Sequence, residues 1–358
     1  MKKSLLALAV LGAFAGAASA QSSVTVYGIV DLGINSTDNG AANGRTTGMT
    51  SGGQSASRIG FKGTEDLGNG LKANFVLEAG YSADTGALGS NTAYGNTTTA
   101  TGTLFSRVST VGLSGAFGAV NLGRQTTVLK DAHDQIDPFG AAGSTGNLER
   151  IFYNAANPAG GRVSNTVKYT SDSYSGFKGQ AAYTFGEVQG DNGAGRGFGL
   201  NLGYANGPLN VQYGYNNQDT SAVVSPFANV SKLKTNFLGA TYDFGIVKLH
   251  GAFADTKNDF PVAVDQKYRN YMLGASVKVG AAGTVLASYS VNDNRTTGVT
   301  NADSKQFAIG YTHDLSKRTN LYTGYARTSN DDNANLGATG TPNGENVSVF
   351  NVGIRHKF

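Results

Sequence analysis

Asn346-Val-Ser-Val-Phe-Asn-Val-Gly-Ile-Arg-His-Lys-Phe358 closes the chain, and its alternation decides the fold. Phe350, Val352, Ile354, His356 and Phe358 share one face, and Val349, Asn351, Gly353, Arg355 and Lys357 share the other. Successive side chains of a strand point to opposite sides, so one side is mostly apolar and the other carries two cations. The last residues of a soluble chain fray unless docked. A strand that finishes on Phe358 therefore predicts a terminus that is paired and half in lipid. In a bilayer no strand edge can stay unpaired, so the last strand must meet the first. The implied fold is all-β, a closed transmembrane antiparallel barrel.

The start of the chain reads as a secretory leader. Lys2 and Lys3 precede an apolar run from Leu5 to Ala18, and Ala18-Ser-Ala20 supplies small residues for cleavage. Residues 1–20 are assigned to the leader and 21–358 to a single barrel domain. Loss of Lys2 and Lys3 lowers the formal charge from +4 to +2, so the pI near 9.0 gives no support to nucleic-acid binding. There are no cysteines, and beyond the leader no run is long and apolar enough for a membrane helix. Hydrophobic residues make up 39% and mean hydropathy is −0.23, as expected when only alternate residues face lipid. Glycine, at 51 of 358 residues, is about twice its usual share of roughly 7%. The 18 Phe and 17 Tyr argue against a disordered glycine-rich chain.

The alternating pattern recurs throughout. Val24, Val26, Val30, Leu32 and Ile34 oppose Thr25, Tyr27, Ile29, Asp31 and Gly33, and Ile59 and Phe61 oppose Arg58, Gly60 and Lys62. Leu71 to Tyr81 alternates in the same way, with Lys72 and Glu78 on the inner side. Counting to the end gives about sixteen strands, an even number as bacterial barrels require. Short turns near 65–70, 114–118, 172–176, 205–208, 245, 280–283 and 314–318 alternate with long polar loops near 35–54, 82–104, 125–164, 186–197, 217–233, 255–268, 293–303 and 329–345. That asymmetry belongs to outer-membrane barrels. No helical periodicity of useful length is visible past the leader. Aromatics near strand ends, among them Tyr81, Tyr183, Phe185, Tyr204, Phe244 and Phe358, suit girdles at the headgroup level.

Several stretches carry a family resemblance: Ser23-Val-Thr-Val-Tyr-Gly-Ile-Val-Asp31, Ser57-Arg-Ile-Gly-Phe-Lys-Gly-Thr-Glu-Asp-Leu-Gly-Asn-Gly-Leu71, Phe117-Gly-Ala-Val-Asn-Leu-Gly-Arg-Gln125, Asn165-Thr-Val-Lys-Tyr-Thr-Ser171 and the terminal Val352 to Phe358. The chain resembles the trimeric general porins of Gram-negative bacteria, most closely those of beta-proteobacteria. The resemblance implies a sixteen-stranded barrel with an inward-folded third loop, a homotrimer set in outer-membrane lipid and lipopolysaccharide, and passive diffusion of small hydrophilic solutes and inorganic ions. It also implies that the barrel assembly machinery reads Phe358, and that basic wall residues at Arg58, Arg107 and Lys168 face the loop across the constriction. No cofactor is implied.

The loop at 125–164 brings Lys130, Asp131, Asp134, Asp137, Glu149, Arg150 and Arg162, with a tight turn expected at Asp137-Pro-Phe-Gly140. Asp131, Asp134, Asp137 and Glu149 are the acidic candidates for the constriction. Asp31, Lys62, Glu78 and Arg124 are candidates for the pore lining. Strict alternation puts Arg107 with Val111 and Leu113 on the outer face, where a charge at the bilayer midplane costs roughly 2–4 kcal/mol. A bulge near Ser109 or a position at the strand end would resolve this. Arg124 poses the same question or else begins the loop. Opposed acids and bases across a narrow aqueous pore bias which ions enter. The basic wall favours modest anion preference, while pairing with the loop acids would leave little selectivity.

The four histidines, His133, His250, His313 and His356, lack metal-ligand spacing, and no nucleophile elbow or phosphate loop appears. The competing readings are a barrel acting as surface adhesin or anchor without an open pore, and a soluble secreted β protein.

Overall fold

The first strand is hydrogen-bonded to the last, down to the final residue. β1 (Ser23–Asp38) and β17 (Val347–Lys357) pair antiparallel from Ile29 opposite Lys357 to Asp38 opposite Ser348. One step further, Gly28 N donates to Phe358 O (3.0 Å) and Phe358 N donates to Gly28 O (3.1 Å). Gly28 leaves the room the aromatic ring needs, since a Cβ there would collide with it. The computed structural model describes residues 23–89, 102–140, 142–152, 161–191, 193–219, 232–260 and 263–358; the leader assigned to 1–20 lies outside them.

From that seam the sheet closes on itself. β2 (Thr46–Ser51) and β3 (Arg58–Gly68) both pair with β1 and form one barrel strand, interrupted at 52–57. β4 (Leu71–Gly80), β5 (Val108–Gly115), β6 (Gly118–Thr126), β7 (Arg162–Thr170) and β8 (Phe177–Thr184) follow. Then come β9 (Gly197–Asn206), β10 (Leu209–Asp219), β11 (Lys232–Asp243), β12 (Val247–Asp259), β13 (Gln266–Val279), β14 (Gly283–Asn294), β15 (Ser304–Asp314) and β16 (Thr319–Asn330). Each pairs antiparallel with its chain neighbours. The 17 segments thus make a closed barrel of sixteen strands. Spanning a bilayer takes about 9–11 residues of tilted strand. β12 and β13, of 13 and 14 residues, exceed this, so part of the sequence expected as loop is strand.

The outer face carries the apolar set. Val24, Phe61, Leu113, Phe198, Leu238, Leu273, Phe307 and Val352 are all exposed there. Aromatic pairs stand at both rims: Phe177 with Tyr204 and Tyr242 with Phe244 (ring centroids 4.6 Å each) near the short turns, and Tyr183 with Phe185 (5.0 Å) near the long loops. Amphipathic rings suit the lipid–water boundary.

The hydrophobic core lies inside the barrel, where the loop between β6 and β7 turns inward. It contains two helices, α1 (Val128–Ile136) and α2 (Glu149–Phe152), in a stretch expected as loop. Val128, Leu129, Ala132, His133 and Ile136 do recur at helical spacing on the buried side of α1, but over only nine residues. Thr127 caps α1 by accepting from Lys130 N (3.1 Å). Leu129, Ala132, Ile136, Leu148 and Phe152 pack on Phe237, Ala254 and Met272 of the wall, all at most 1% exposed. The loop rides on backbone. A Cβ at Gly199, Gly214, Gly239 or Gly274 would come within 2.8 Å of Val128, Leu129, Ile136 or Pro138 respectively. His250 Nδ1 lies 2.7 Å from Ile136 O, and Asn292 donates to Ile151 O (3.0 Å), so helix-end carbonyls find wall partners. At its far end the loop meets the interrupted strand, where Ser144 N donates to Gly53 O (3.0 Å).

Candidate functional site

Between this loop and the opposite wall lies an open cavity of about 920 Å³. Its charged lining is Arg58, Arg107, Lys130, Arg162, Arg355 and Lys357 against Glu78, Asp134 and Glu149. Each acid is engaged. Glu78 accepts from Arg107 Nε (2.6 Å) and Tyr27 OH (3.0 Å). Asp134 pairs with Lys130, and Glu149 meets His133 Nδ1 (3.0 Å) and Lys130 Nζ (3.8 Å). Among the described residues, no carboxylate oxygen lies within 4.0 Å of Arg58, Arg162, Arg355 or Lys357. Arg58 Nε donates to Ala56 O (2.9 Å), and Arg355 donates to Asn320 Oδ1 (2.9 Å) and Ser55 Oγ (2.8 Å). These partners hold the guanidinium groups without neutralising them.

The loop acids differ in how they hold their protons. Asp134 keeps nearly half its side chain open, yet protein surrounds it inside the barrel. That burial raises its carboxyl above the ordinary range, against the pull of Lys130. Burial would do the same to Glu149, but the His133 hydrogen bond and Lys130 bring it below the ordinary value.

The candidates from sequence separate into two groups. Arg58, Arg107, Glu78, Asp134 and Glu149 meet at the cavity. Arg107 stands one residue before β5, and β4 and β5 stay in register through Glu78 opposite Val108. Of the two exits from the alternation conflict, the strand-end position applies, and no bulge at Ser109 is needed.

The other candidates serve the walls. Lys168 is buried and binds Asp131 Oδ2 (2.8 Å) and Thr126 O (3.0 Å). Asp131 also accepts from Thr126 Oγ1 (2.7 Å) and Gln180 (3.0 Å), so the pair pins the loop's start to β7 and β8. Asp137 is buried and accepts from Phe139 N and Leu148 N (2.9 Å each), which ties the expected turn. Asp31 is wholly buried and accepts from Tyr322 OH (2.6 Å), Gln54 N (3.0 Å) and Ser55 N (2.6 Å), holding 52–57 inward beneath the lining. Lys62 Nζ lies 5.3 Å from the centroid of the Tyr27 ring, away from this cavity.

Two positions correct the sequence reading. Arg124 stands opposite Ser109, on the outer parity of Leu122, and donates to Ser106 O (2.7 Å) and Ser164 Oγ (2.9 Å). It is absent from the cavity lining, because plain alternation on β6 carries it to the outer side; the β6–β7 register slips at the same point, between Gly123 and Gln125. Tyr81, expected in the girdle, lies beyond β4 and lines the cavity. Lys130 and Arg162, expected among the loop's charges, line the cavity too, as do Arg355 and Lys357, which the sequence placed on the inner face without assigning them to the narrowing. Alternation does put Arg355 and Lys357 on the inner face, but it does not show which inner cations the loop leaves open.

The chain matches the family model of Gram-negative porins over residues 7–333. It is 39% identical to outer membrane porin protein 32 of Delftia acidovorans and 36% identical to an outer membrane porin protein of Bordetella pertussis, with 100% of both chains covered in each case. Among solved structures, an anion-selective porin from Comamonas acidovorans superposes with a TM-score of 0.81 at 35% identity, covering 94% of this chain and 100% of that one.

Proposed function

Because the chain belongs to the Gram-negative porin family and is an outer-membrane β-barrel, we propose that its lumen is a water-filled channel for passive diffusion of small hydrophilic solutes, with a preference for anions. One observation carries the preference: among the described residues four lining cations have no carboxylate partner, while every lining acid is engaged by a base. Over a few ångströms salt screens such charges weakly, so the narrow passage attracts anions and repels cations. No bond is made or broken. The wall exchanges part of an ion's hydration for guanidinium and ammonium contacts that are weak enough to release it. The similar porin from Comamonas acidovorans is anion-selective, which agrees with this reading.

The reversal potential across a planar bilayer in a salt gradient tests it. Anion preference is expected, and a clear cation preference would sink the reading. A barrel serving only as adhesin or anchor would not conduct at all. The proposal extends to a homotrimer, to contact with lipid and lipopolysaccharide, and to recognition of Phe358 by the assembly machinery. Mild-detergent gels should show an oligomer that heating dissociates; monomer alone would count against it.

A further inference from the structure

A second slot, of about 330 Å³, lies beneath the loop on the side of the short turns. Its lining includes Pro138 and Phe139 from the loop and Leu286, Gly310, Tyr322 and Arg355 from the wall. Its character differs from the rest of the lumen. Outside the apolar patch covered by the loop, much of the inner wall presents amides and hydroxyls, such as Asn201, Gln212, Thr241 and Thr328. Here a ring, a leucine and a proline border water, all half-buried. The Phe139 ring lies over Gly310, where a Cβ would come within 3.0 Å of it.

At the slot's edge stands Arg355. Two neutral oxygens, Asn320 Oδ1 and Ser55 Oγ, fix the guanidinium through Nε and Nη1. A guanidinium has five N–H donors in a planar fork, so others remain for a ligand. Asp31, opposite Arg355 across the seam, lies beyond 4.0 Å and already accepts from Tyr322 OH, Gln54 N and Ser55 N, so the remaining donors of Arg355 stay open to the slot.

We propose that this slot retains small aromatic carboxylates, with the ring between Phe139 and Leu286 and the carboxylate on Arg355. The volume, at the lower end of the roughly 300–1,000 Å³ of ligand pockets, suits one ring. Charge and apolar contact act together, so neither a bare anion nor a neutral ring gains the full interaction. Such a solute lingers at the inner mouth of the channel and obstructs smaller ions while it is bound. The inference rests on the channel reading above.

The test uses wild-type protein in planar bilayers carrying chloride current. Benzoate, acetate and benzyl alcohol are added in turn, at equal concentration, to both sides. Benzoate should reduce the current saturably, while acetate and benzyl alcohol leave it nearly unchanged. Arg355→Gln should raise the half-blocking concentration of benzoate by roughly tenfold, the worth of a charge-assisted contact. Leu286→Asn, on a different strand, should raise it severalfold by removing the apolar wall. Benzoate acting no more strongly than acetate on the wild type would overturn the proposal, as would block unchanged in both variants. Those outcomes leave the channel reading intact, which fails only on absent conductance or cation preference.

Discussion

Arg58 and Arg107 stand together in the cavity, yet they do different electrostatic work. Arg107 is spent on Glu78, whereas Arg58 is held by a neutral carbonyl and projects its charge. Arg58→Glu should therefore lower the anion-to-cation permeability ratio severalfold, measured by reversal potential, and Arg107→Gln should shift it less because Arg107 is already neutralised by Glu78. The loop acids predict a pH dependence. A carboxyl raised above its ordinary value takes up its proton first as pH falls, and one held low takes it up last. Asp134 should lose its charge before Glu149. Losing a negative charge leaves the basic excess larger, so anion preference should strengthen on acidification. Reversal potentials between about pH 7 and about pH 4, a window above the ordinary Asp value of about 3.9 where only a raised carboxyl such as Asp134 titrates, would show the step. Asp134→Asn should abolish its early part while raising preference at neutral pH.

The loop and its track form the element that gives the barrel its narrowing. Some of the glycines that stand out in the composition form the floor on which α1 and the following turn lie. Gly239→Leu would overpack against Ile136, at a cost of about 1–3 kcal/mol. The loop should shift toward the channel axis, and single-channel conductance should fall. Gly251→Leu is the control. It faces outward on β12, with Leu273 Cδ2 at 3.9 Å from a Cβ, and should leave conductance unchanged. The closing strand makes a different prediction. Removing Phe358, or replacing Gly28 with Val where the ring lies, should reduce the amount of barrel in outer-membrane fractions far more than the conductance of any channel that assembles. Equal loss of both would refute it.

The whole molecule has no cysteine, and among the described residues its largest buried apolar cluster is the contact between loop and wall, with a smaller one of Val163 and Leu233 against Phe260. Closure supplies the stability: every strand has two neighbours, and lipid demands that backbone groups be paired. The strand order, the inner and outer faces, and the alternation of short turns with long loops were legible because each depends on the two-residue period or on local turn chemistry. Arg58 and Glu78 were readable as lumen residues for that reason. The helix at Val128–Ile136 was not, since a single short helix inside a barrel is stabilised by Phe237 and Met272, which lie far along the chain. Nor were the partners of Lys168, Asp131 and Asp137. The prediction for the molecule is conductance itself: stepwise openings in planar bilayers, lost when the barrel is heat-unfolded before reconstitution.

By itself the sequence determined that the chain must close, from a last strand that alternates to its final Phe358 and a first strand from Val24 to Ile34 that can receive it. Backbone geometry sends neighbouring side chains to opposite faces whatever lies elsewhere, so the lipid face and the lumen face follow from local order. Only the tertiary structure decided which lumen charges remain unpaired. That depends on where an inward loop crosses the barrel wall, and on contacts such as Lys168 with Asp131 and Arg107 with Glu78 that join residues far apart in the chain. Coulomb interactions fall with distance and with water, so a cation's worth is set by what the fold brings within a few ångströms of it.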